Sequence, residues 1–96
     1  MPKGYIIAHI TVNDPEGYKE YIERDTPILV SHGGRFIARG GRSQVMEGSC
    51  ETRHVIIEFP SYEAAMESYQ SPDYQEVADI RRRTATSKIL ILEGAE

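Results

Sequence analysis

The chain has 96 residues, of which 40% are apolar and 27% are charged, a composition typical of one globular domain with a thin core. Its net charge of -4 argues against a general nucleic-acid surface held by phosphate contacts, and no apolar run approaches the roughly 18 residues of a membrane helix. No secretory signal precedes the first strand-like run, and the single Cys50 has no disulfide partner in the chain. We therefore expect a cytoplasmic protein without nucleic-acid or membrane partners.

The first third of the chain predicts a strand followed by a helix. Apolar and polar residues alternate over positions 3–12, which predicts a strand with one wholly apolar face. Asp14 is typical of a helix N-cap and Pro15 of a first helical position. Gly33 predicts the end of this helix, and Pro27 predicts a kink or a short break within it.

The second strand is predicted at residues 35–40. Strict alternation places Phe36 and Ala38 on the face that the helices cover and Arg39 on the opposite face. A glycine pair follows the strand, and residues 45–47 are interpreted as a short strand extension within the hairpin.

The remaining chain predicts a third strand, two helical segments and a fourth strand. Residues 53–59 alternate again, and Ser61 is placed to cap the second helix. Pro72 restarts a helix, whose arginine run at residues 81–83 is interpreted as mostly solvated. Residues 88–93 form the closing strand.

The predicted order βαββαβ is the ferredoxin-like arrangement, an α+β fold with a four-stranded antiparallel sheet and helices on one face. We expect residues 1–96 to form a single domain. The opposite face of the sheet is mixed in composition, neither a plain core nor a plain solvent face.

Several motifs of the chain form a series that resembles one family. These motifs are GGRFIARGG at 33–41, Glu47-Gly48, RHVIIEFPS at 53–61, Tyr69, and SPDYQ at 71–75. Together they resemble an uncharacterised family catalogued as a domain of unknown function, number 1330, over nearly the whole chain. That family is similar to the dimeric α/β-barrel superfamily, which includes cofactor-free monooxygenases, a lactone isomerase and haem-binding enzymes. The resemblance implies a homodimer through the open sheet face, and it leaves the reaction open.

The open face offers a candidate anion-binding strip. Residues directly opposite in an antiparallel pair share a face. One register of the first and third strands matches His9 with His54, and one register of the hairpin matches Arg39 with His54. Together these registers predict a row of Arg39, His54 and His9, with about 5 Å between neighbours.

Such a row could hold a substrate carboxylate on Arg39 and use His54 or His9 as the catalytic acid or base. The alternative is that these side chains form ion pairs across a dimer interface, because ion-pair networks resemble functional sites. Tyr69 is the preferred pocket tyrosine because it lies at a helix break, although helical spacing makes the tyrosines core residues first.

No cofactor or metal signature is present in the sequence. His54 and Glu58 share a face but lie about 13 Å apart along a strand, too far to chelate one ion. Cys50 has no cysteine or histidine at metal spacing and no evident base beside it, and Glu58 is predicted to pair with Arg35. We therefore expect neither a metal site nor a cofactor, with haem on a lone histidine as the open alternative.

Three functions remain compatible with the sequence. The first is a dimeric barrel protein with a small-molecule pocket, acting as a cofactor-independent enzyme on a small organic acid or aromatic compound. The second is a non-catalytic ligand-binding or stress-related module of the same fold. The third is a structural dimer whose polar strip sets pairing specificity.

Overall fold

The chain folds as an antiparallel four-stranded sheet with three helices packed on one face. The computed structural model describes residues 2–96, and Met1 lies outside the described residues. The elements are β1 Gly4–Val12, α1 Pro15–Ser31, β2 Arg35–Arg39, β3 Arg53–Phe59, α2 Tyr62–Gln70, α3 Pro72–Thr84 and β4 Ala85–Glu93.

The sheet has the strand order β2-β3-β1-β4, which confirms the ferredoxin-like α+β fold, with the second helical segment divided into α2 and α3. Strands β1 and β3 are central, and β2 and β4 form the edges. The core lies between the helices and the sheet, where every second residue of β1 and β3 is buried. The opposite sheet face, which we call the open face, is covered by none of the helices.

The predicted helix ends are confirmed. The Asp14 carboxylate accepts a hydrogen bond from the amide of Gly17 at 3.2 Å, and the Ser61 hydroxyl accepts one from the amide of Ala64 at 3.1 Å. Gly33 has φ of +92°, a conformation that glycine adopts at helix C-termini without a Cβ clash. Among residues 2–96, no helix is long and apolar enough to cross a membrane.

Of the predicted kink or short break at Pro27, the break is wrong, because α1 runs without interruption from Pro15 to Ser31. Pro27 removes one backbone donor, but buried side chains on both sides of it anchor the helix to the core. Tyr21 is 6% exposed and Leu29 is 1% exposed. Tertiary packing of this kind overrides a local preference.

The last third of the chain differs from the prediction in two respects. β4 begins at Ala85, three residues before the predicted start. Arg81 is buried rather than solvated, with 3% of its surface exposed, and its guanidinium lies 5.8 Å from the Tyr21 ring centroid. The reason is helical spacing, since Arg81 follows the buried Tyr74, Val77 and Ala78 on one stripe of α3.

β2 contains a β-bulge that the alternation pattern did not predict. Phe36 opposes Ile57 on β3, but Ala38 opposes Ile56, so Ile37 is an extra residue on the β2 side. The bulge moves Ala38 to the open face, which corrects its predicted place under the helices.

The long connection between β2 and β3 also differs from the prediction. Residues 40–52 are all described and contain no strand. Met46 is 82% exposed and Val45 is 45% exposed. Residues 45–47 therefore belong to an exposed loop and not to a strand extension.

Candidate functional site

A cavity lies between α1 and the helix-facing side of the sheet. The empty space inside its lining is about 400 Å³ including the open mouth, and the centre of a water molecule can occupy about 30 Å³ of it, which leaves room for a few water molecules. Aliphatic side chains of β1, β3 and β4 form its floor. We call it the Asp25 pocket, and its polar or aromatic lining residues are Tyr18, Tyr21, Asp25, Phe36, Arg39, Arg53 and Tyr74.

Asp25 is the buried acidic residue of this pocket. It is 4% exposed because it follows Tyr18 by seven residues and Tyr21 by four, on the stripe of α1 that faces the sheet. Burial raises the pKa of its carboxyl from the ordinary value of 3.8 to about 6, against the opposing effect of the Arg39 charge and of hydrogen bonds from Thr26. The carboxyl therefore changes protonation state close to neutral pH.

Thr26 connects Asp25 to Arg39. Its hydroxyl lies 3.2 Å from the Asp25 carboxylate and accepts a 2.6 Å hydrogen bond from the Arg39 guanidinium. The guanidinium also lies over the Phe36 ring, 4.0 Å from its centroid, at a separation where cation–π attraction operates. Arg39 is itself exposed, so its charge is presented at the mouth of the pocket.

Three tyrosines line the pocket beside Asp25. The hydroxyls of Tyr21 and Tyr74 are 2.7 Å apart, so each satisfies the other inside the core. Burial raises the pKa of Tyr18, and it raises the pKa of Tyr21 well above the ordinary value. Both phenols therefore stay neutral near pH 7. The tyrosines are core residues and pocket walls at once.

Arg53 occupies the first position of β3 and is held against Gly40. Gly40 has φ of +67°, and a Cβ there would lie 2.3 Å from Nη1 of Arg53. Glycine suits this backbone conformation, and any Cβ here would have to displace the flexible end of the Arg53 side chain. The Gly40 amide also donates a 2.9 Å hydrogen bond to the His54 carbonyl. The end of β2 is thus shaped so that a second arginine borders the pocket.

The predicted row of Arg39, His54 and His9 does not form. The β2 bulge pairs Arg39 with Val55 instead of His54, and Val55 is a buried core residue on the helix side of the sheet. One extra residue inverts the faces of all residues that follow it in the strand. Arg39 and His54 therefore point to opposite sides of the sheet, and the anion-binding strip is a wrong prediction.

The other half of that prediction is confirmed. β1 and β3 pair with His9 opposite His54, and the two Nδ1 atoms are 2.9 Å apart, so one imidazole donates its proton to the other. Cys50 was predicted to lie without a companion, yet one ring nitrogen from each histidine and the Cys50 sulfur all lie within 4.8 Å of one another. This cluster is on the open face and does not line the Asp25 pocket.

The remaining candidates lie elsewhere. Tyr69 contacts Tyr74 with ring centroids 5.5 Å apart and the rings tilted by 45°, but it lines a second, open depression with Arg81 and Ser87. Arg35 and Glu58 form the predicted cross-strand pair, with Nη2 and Oε1 3.0 Å apart.

Sequence reasoning missed Asp25, Thr26 and Arg53. A signal for Asp25 was present, because a carboxylate that continues the apolar stripe of Tyr18 and Tyr21 at helical spacing must be buried. Arg53 carries no comparable signal, since its place depends on the backbone conformation of Gly40.

The fold and the pocket define a small α+β protein of the ferredoxin-like class with an ionisable cavity between helices and sheet. The chain belongs to the family described as Domain of unknown function (DUF1330), whose model matches residues 3–95. The resemblance of its motifs to that family is thereby confirmed. No curated protein sequence matches the chain.

Solved structures of low sequence identity share this fold. A protein of unknown function from Rhodopseudomonas palustris, RPA0582, is 19% identical with a TM-score of 0.75, over 99% of this chain and 84% of that one. SnoaB, a cofactor-independent oxygenase from Streptomyces nogalater, is 15% identical with a TM-score of 0.68, over 100% and 96%. The Arabidopsis thaliana protein AT3G17210, described as hypothetical, is 18% identical with a TM-score of 0.69, over 99% and 89%. These likenesses establish the fold and no activity.

Proposed function

We propose that this protein is a cofactor-independent enzyme that binds a small aromatic compound or organic acid in the Asp25 pocket and uses Asp25 as a general base. The observation that carries the proposal is the burial of Asp25 in a largely apolar cavity, with its pKa raised to about 6. A general base is most effective when its pKa lies near the working pH. Strongly shifted groups in cavities are also enriched at functional sites.

The proton transfer requires only groups of this chain and the substrate. Above pH 6 the Asp25 carboxylate accepts a proton from an acidic O–H or C–H bond of the substrate, and the electron pair of that bond stays on the substrate anion. The Arg39 charge lies close enough to lower the pKa of Asp25, so it also stabilises an anion formed beside that carboxyl. The proton then returns to the product or leaves to solvent.

Substrate binding requires the pocket to open, because the space that admits the centre of a water molecule is only about 30 Å³, too little for an aromatic ring. Arg39 is the group best placed to move, because it is exposed. Its movement would break its contacts with the Thr26 hydroxyl and the Phe36 ring. An anionic substrate would replace the Thr26 hydroxyl as the partner of its guanidinium. The planar ring of an aromatic substrate would then pack between the tyrosines and the aliphatic floor of the pocket.

The proposal includes a homodimer through the open face. Leu90 and Leu92 of β4 are 52% and 47% exposed, and Ile37 of β2 is 46% exposed. They share the sheet with Ile7 and Ile56, which oppose each other on the central strands. A row of aliphatic side chains on an uncovered sheet face favours a second sheet as its cover, and the family resemblance implies the same assembly.

The test combines binding, turnover and pH dependence. The protein is titrated with 2-naphthoate and with uncharged 2-methylnaphthalene, followed by two-dimensional NMR. It is then screened with hydroxylated aromatic acids and aromatic ketones in D2O, with deuterium incorporation and oxygen uptake as readouts. We expect a turnover that rises with pH through about 6, as the carboxylate of Asp25 forms, and that is lost in Asp25→Asn.

The outcomes separate the three functions. Binding in the pocket without turnover in any assay would favour a ligand-binding module. A stable dimer that binds none of the probes would favour a structural protein. Turnover that is unchanged in Asp25→Asn would remove Asp25 as the base.

A further inference from the structure

We propose that His9, His54 and Cys50 form a binding site for a transition-metal ion of the zinc or copper(I) type on the open face. We call these three residues the His-Cys cluster. One ring nitrogen of each histidine and the cysteine sulfur lie within 4.8 Å of one another. They come from β1, β3 and the loop between β2 and β3, so the tertiary fold, and not a local motif, brings them together.

The geometry is close to that of a metal site. A tetrahedral zinc ion at about 2.05 Å from nitrogen and 2.3 Å from sulfur holds two nitrogens about 3.3 Å apart and nitrogen and sulfur about 3.6 Å apart. The Nδ1 atoms of His9 and His54 are 2.9 Å apart. The distances among the three ligand atoms, one ring nitrogen from each histidine and the Cys50 sulfur, are at most 4.8 Å. Small side-chain rotations therefore bring all three atoms to bonding distance of one ion.

The strands hold the two histidines in this arrangement. His9 and His54 are direct cross-strand partners in the middle of the β1–β3 ladder, and their rings meet edge to face at an interplanar angle of 70°. Without a metal, a single proton is shared between the facing nitrogens. On metal binding that proton moves to Nε2 of its own ring, which frees a lone pair on each Nδ1, and the Cys50 thiol releases its proton to solvent, so the ring positions change little.

The donor set selects the class of ion. Two imidazoles and one thiolate suit zinc and copper, whereas magnesium and calcium require oxygen ligands. Three protein ligands leave a further coordination position for water or an anion.

The surrounding charges are compatible with a cation. Lys88 opposes His9 on β4, but its ammonium group is paired with the Glu51 carboxylate at 3.4 Å. Glu51 follows Cys50 in the chain, and its side chain is 14% exposed. The carboxylate therefore offsets the lysine charge next to the site, and a Cys50 thiolate offsets part of the charge of a bound ion.

The His-Cys cluster is separate from the proposed base. His54 and Val55 alternate along β3, so the histidine points to the open face while Val55 lines the Asp25 pocket. Metal binding can therefore be tested independently of any activity of the pocket.

The test uses the full chain with any affinity tag removed, first stripped with a chelator. Zinc binding is measured by competition with a chromophoric chelator, after overnight equilibration because the proposed dimer covers this face. Cobalt(II) is added in parallel, since thiolate ligation gives an ultraviolet charge-transfer band. We expect one ion per chain, and we expect Cys50→Ser and His54→Gln each to weaken zinc binding by more than about 100-fold.

His32→Gln is the matched control, because the third histidine lies at the end of α1 and contacts Asp73. It is expected to bind zinc as the unmodified protein does. Circular dichroism verifies that each variant is folded. Failure of the folded protein to bind micromolar zinc would overturn the proposal. So would equal affinity in Cys50→Ser, or a cobalt complex without the thiolate band.

Discussion

The Arg39 guanidinium donates a 2.6 Å hydrogen bond to the Thr26 hydroxyl and thereby connects the edge strand β2 to helix α1 at the mouth of the Asp25 pocket. This contact exists because Ile37 is bulged out of the β2–β3 ladder. Without the bulge, Arg39 would point to the open face and the pocket would lose its exposed cation. One irregular residue in an edge strand therefore determines which side of the sheet carries this charge.

Replacing Arg39 by glutamine is expected to weaken 2-naphthoate binding about 10-fold to 100-fold, because a hydrogen bond to a charged group contributes about 1.5–3 kcal/mol. The affinity for 2-methylnaphthalene should change little. Arg42→Gln is the matched control, since Arg42 is an exposed arginine of the following loop. The affinities are measured by NMR titration. An equal loss of affinity for 2-naphthoate and 2-methylnaphthalene in Arg39→Gln would contradict anion recognition by this residue.

Asp25→Asn is expected to stabilise the protein above pH 6. The folded-state pKa of about 6 is raised from 3.8, so the folded protein binds the proton more tightly than the unfolded chain. The stability that this tighter proton binding by Asp25 gives the folded protein is complete below pH 4, and it is lost as the pH rises through 6. The difference between the two pKa values corresponds to about 3 kcal/mol.

Urea unfolding from pH 4 to pH 8 measures this effect. Asp25→Asn should gain stability relative to the unmodified protein as the pH rises, and the two should converge near pH 4. Glu23→Gln, on the exposed side of the same helix, is the control and should show no such divergence. Parallel pH profiles for Asp25→Asn and the unmodified protein would exclude a raised pKa.

Most of the fold could be predicted because its determinants are local and periodic. Alternation in β1 and β3 predicts the buried rows and places His9 and His54 on the same face, and the register that opposes them is one of those that the alternation permits. Helix caps are similarly local, since Asp14 and Ser61 each need only the amide three residues ahead.

The site could not be predicted as well, because its determinants are not periodic. A bulge depends on how two strands pair, and nothing in the residues around Ile37 distinguishes an inserted residue from a regular one. The position of Cys50 depends on the path of the whole loop between β2 and β3. Asp25 is the exception, since its helical spacing from Tyr21 was sufficient to predict burial.

Gly40→Ala is expected to destabilise the protein by about 1–2 kcal/mol, because an L-residue is strained at φ of +67°, and its Cβ would also displace the flexible end of the Arg53 side chain. Gly41→Ala provides the control, since a Cβ there meets no atom within 4 Å among the described residues. The free energy of unfolding of Gly41→Ala should stay within about 0.5 kcal/mol of that of the unmodified protein. Urea midpoints compare the two variants. Equal midpoints would contradict a backbone strain at this position.

Leu90→Lys is expected to convert the proposed dimer into a monomer, because it places a charge on the aliphatic row that the second subunit of that dimer would cover. The matched control is Val30→Lys, since Val30 is 53% exposed and Leu90 is 52% exposed, but Val30 belongs to α1 and not to the open face. Light scattering coupled to size exclusion should give twice 10.8 kDa for the unmodified protein and for Val30→Lys. A monomeric unmodified protein at 100 µM, or a dimer that persists in Leu90→Lys, would place the interface elsewhere or remove it.

Because the His-Cys cluster lies on the same face, Leu90→Lys also tests whether zinc binding needs the second subunit. All three proposed ligands come from one chain, so we expect the zinc affinity of the monomer to be unchanged.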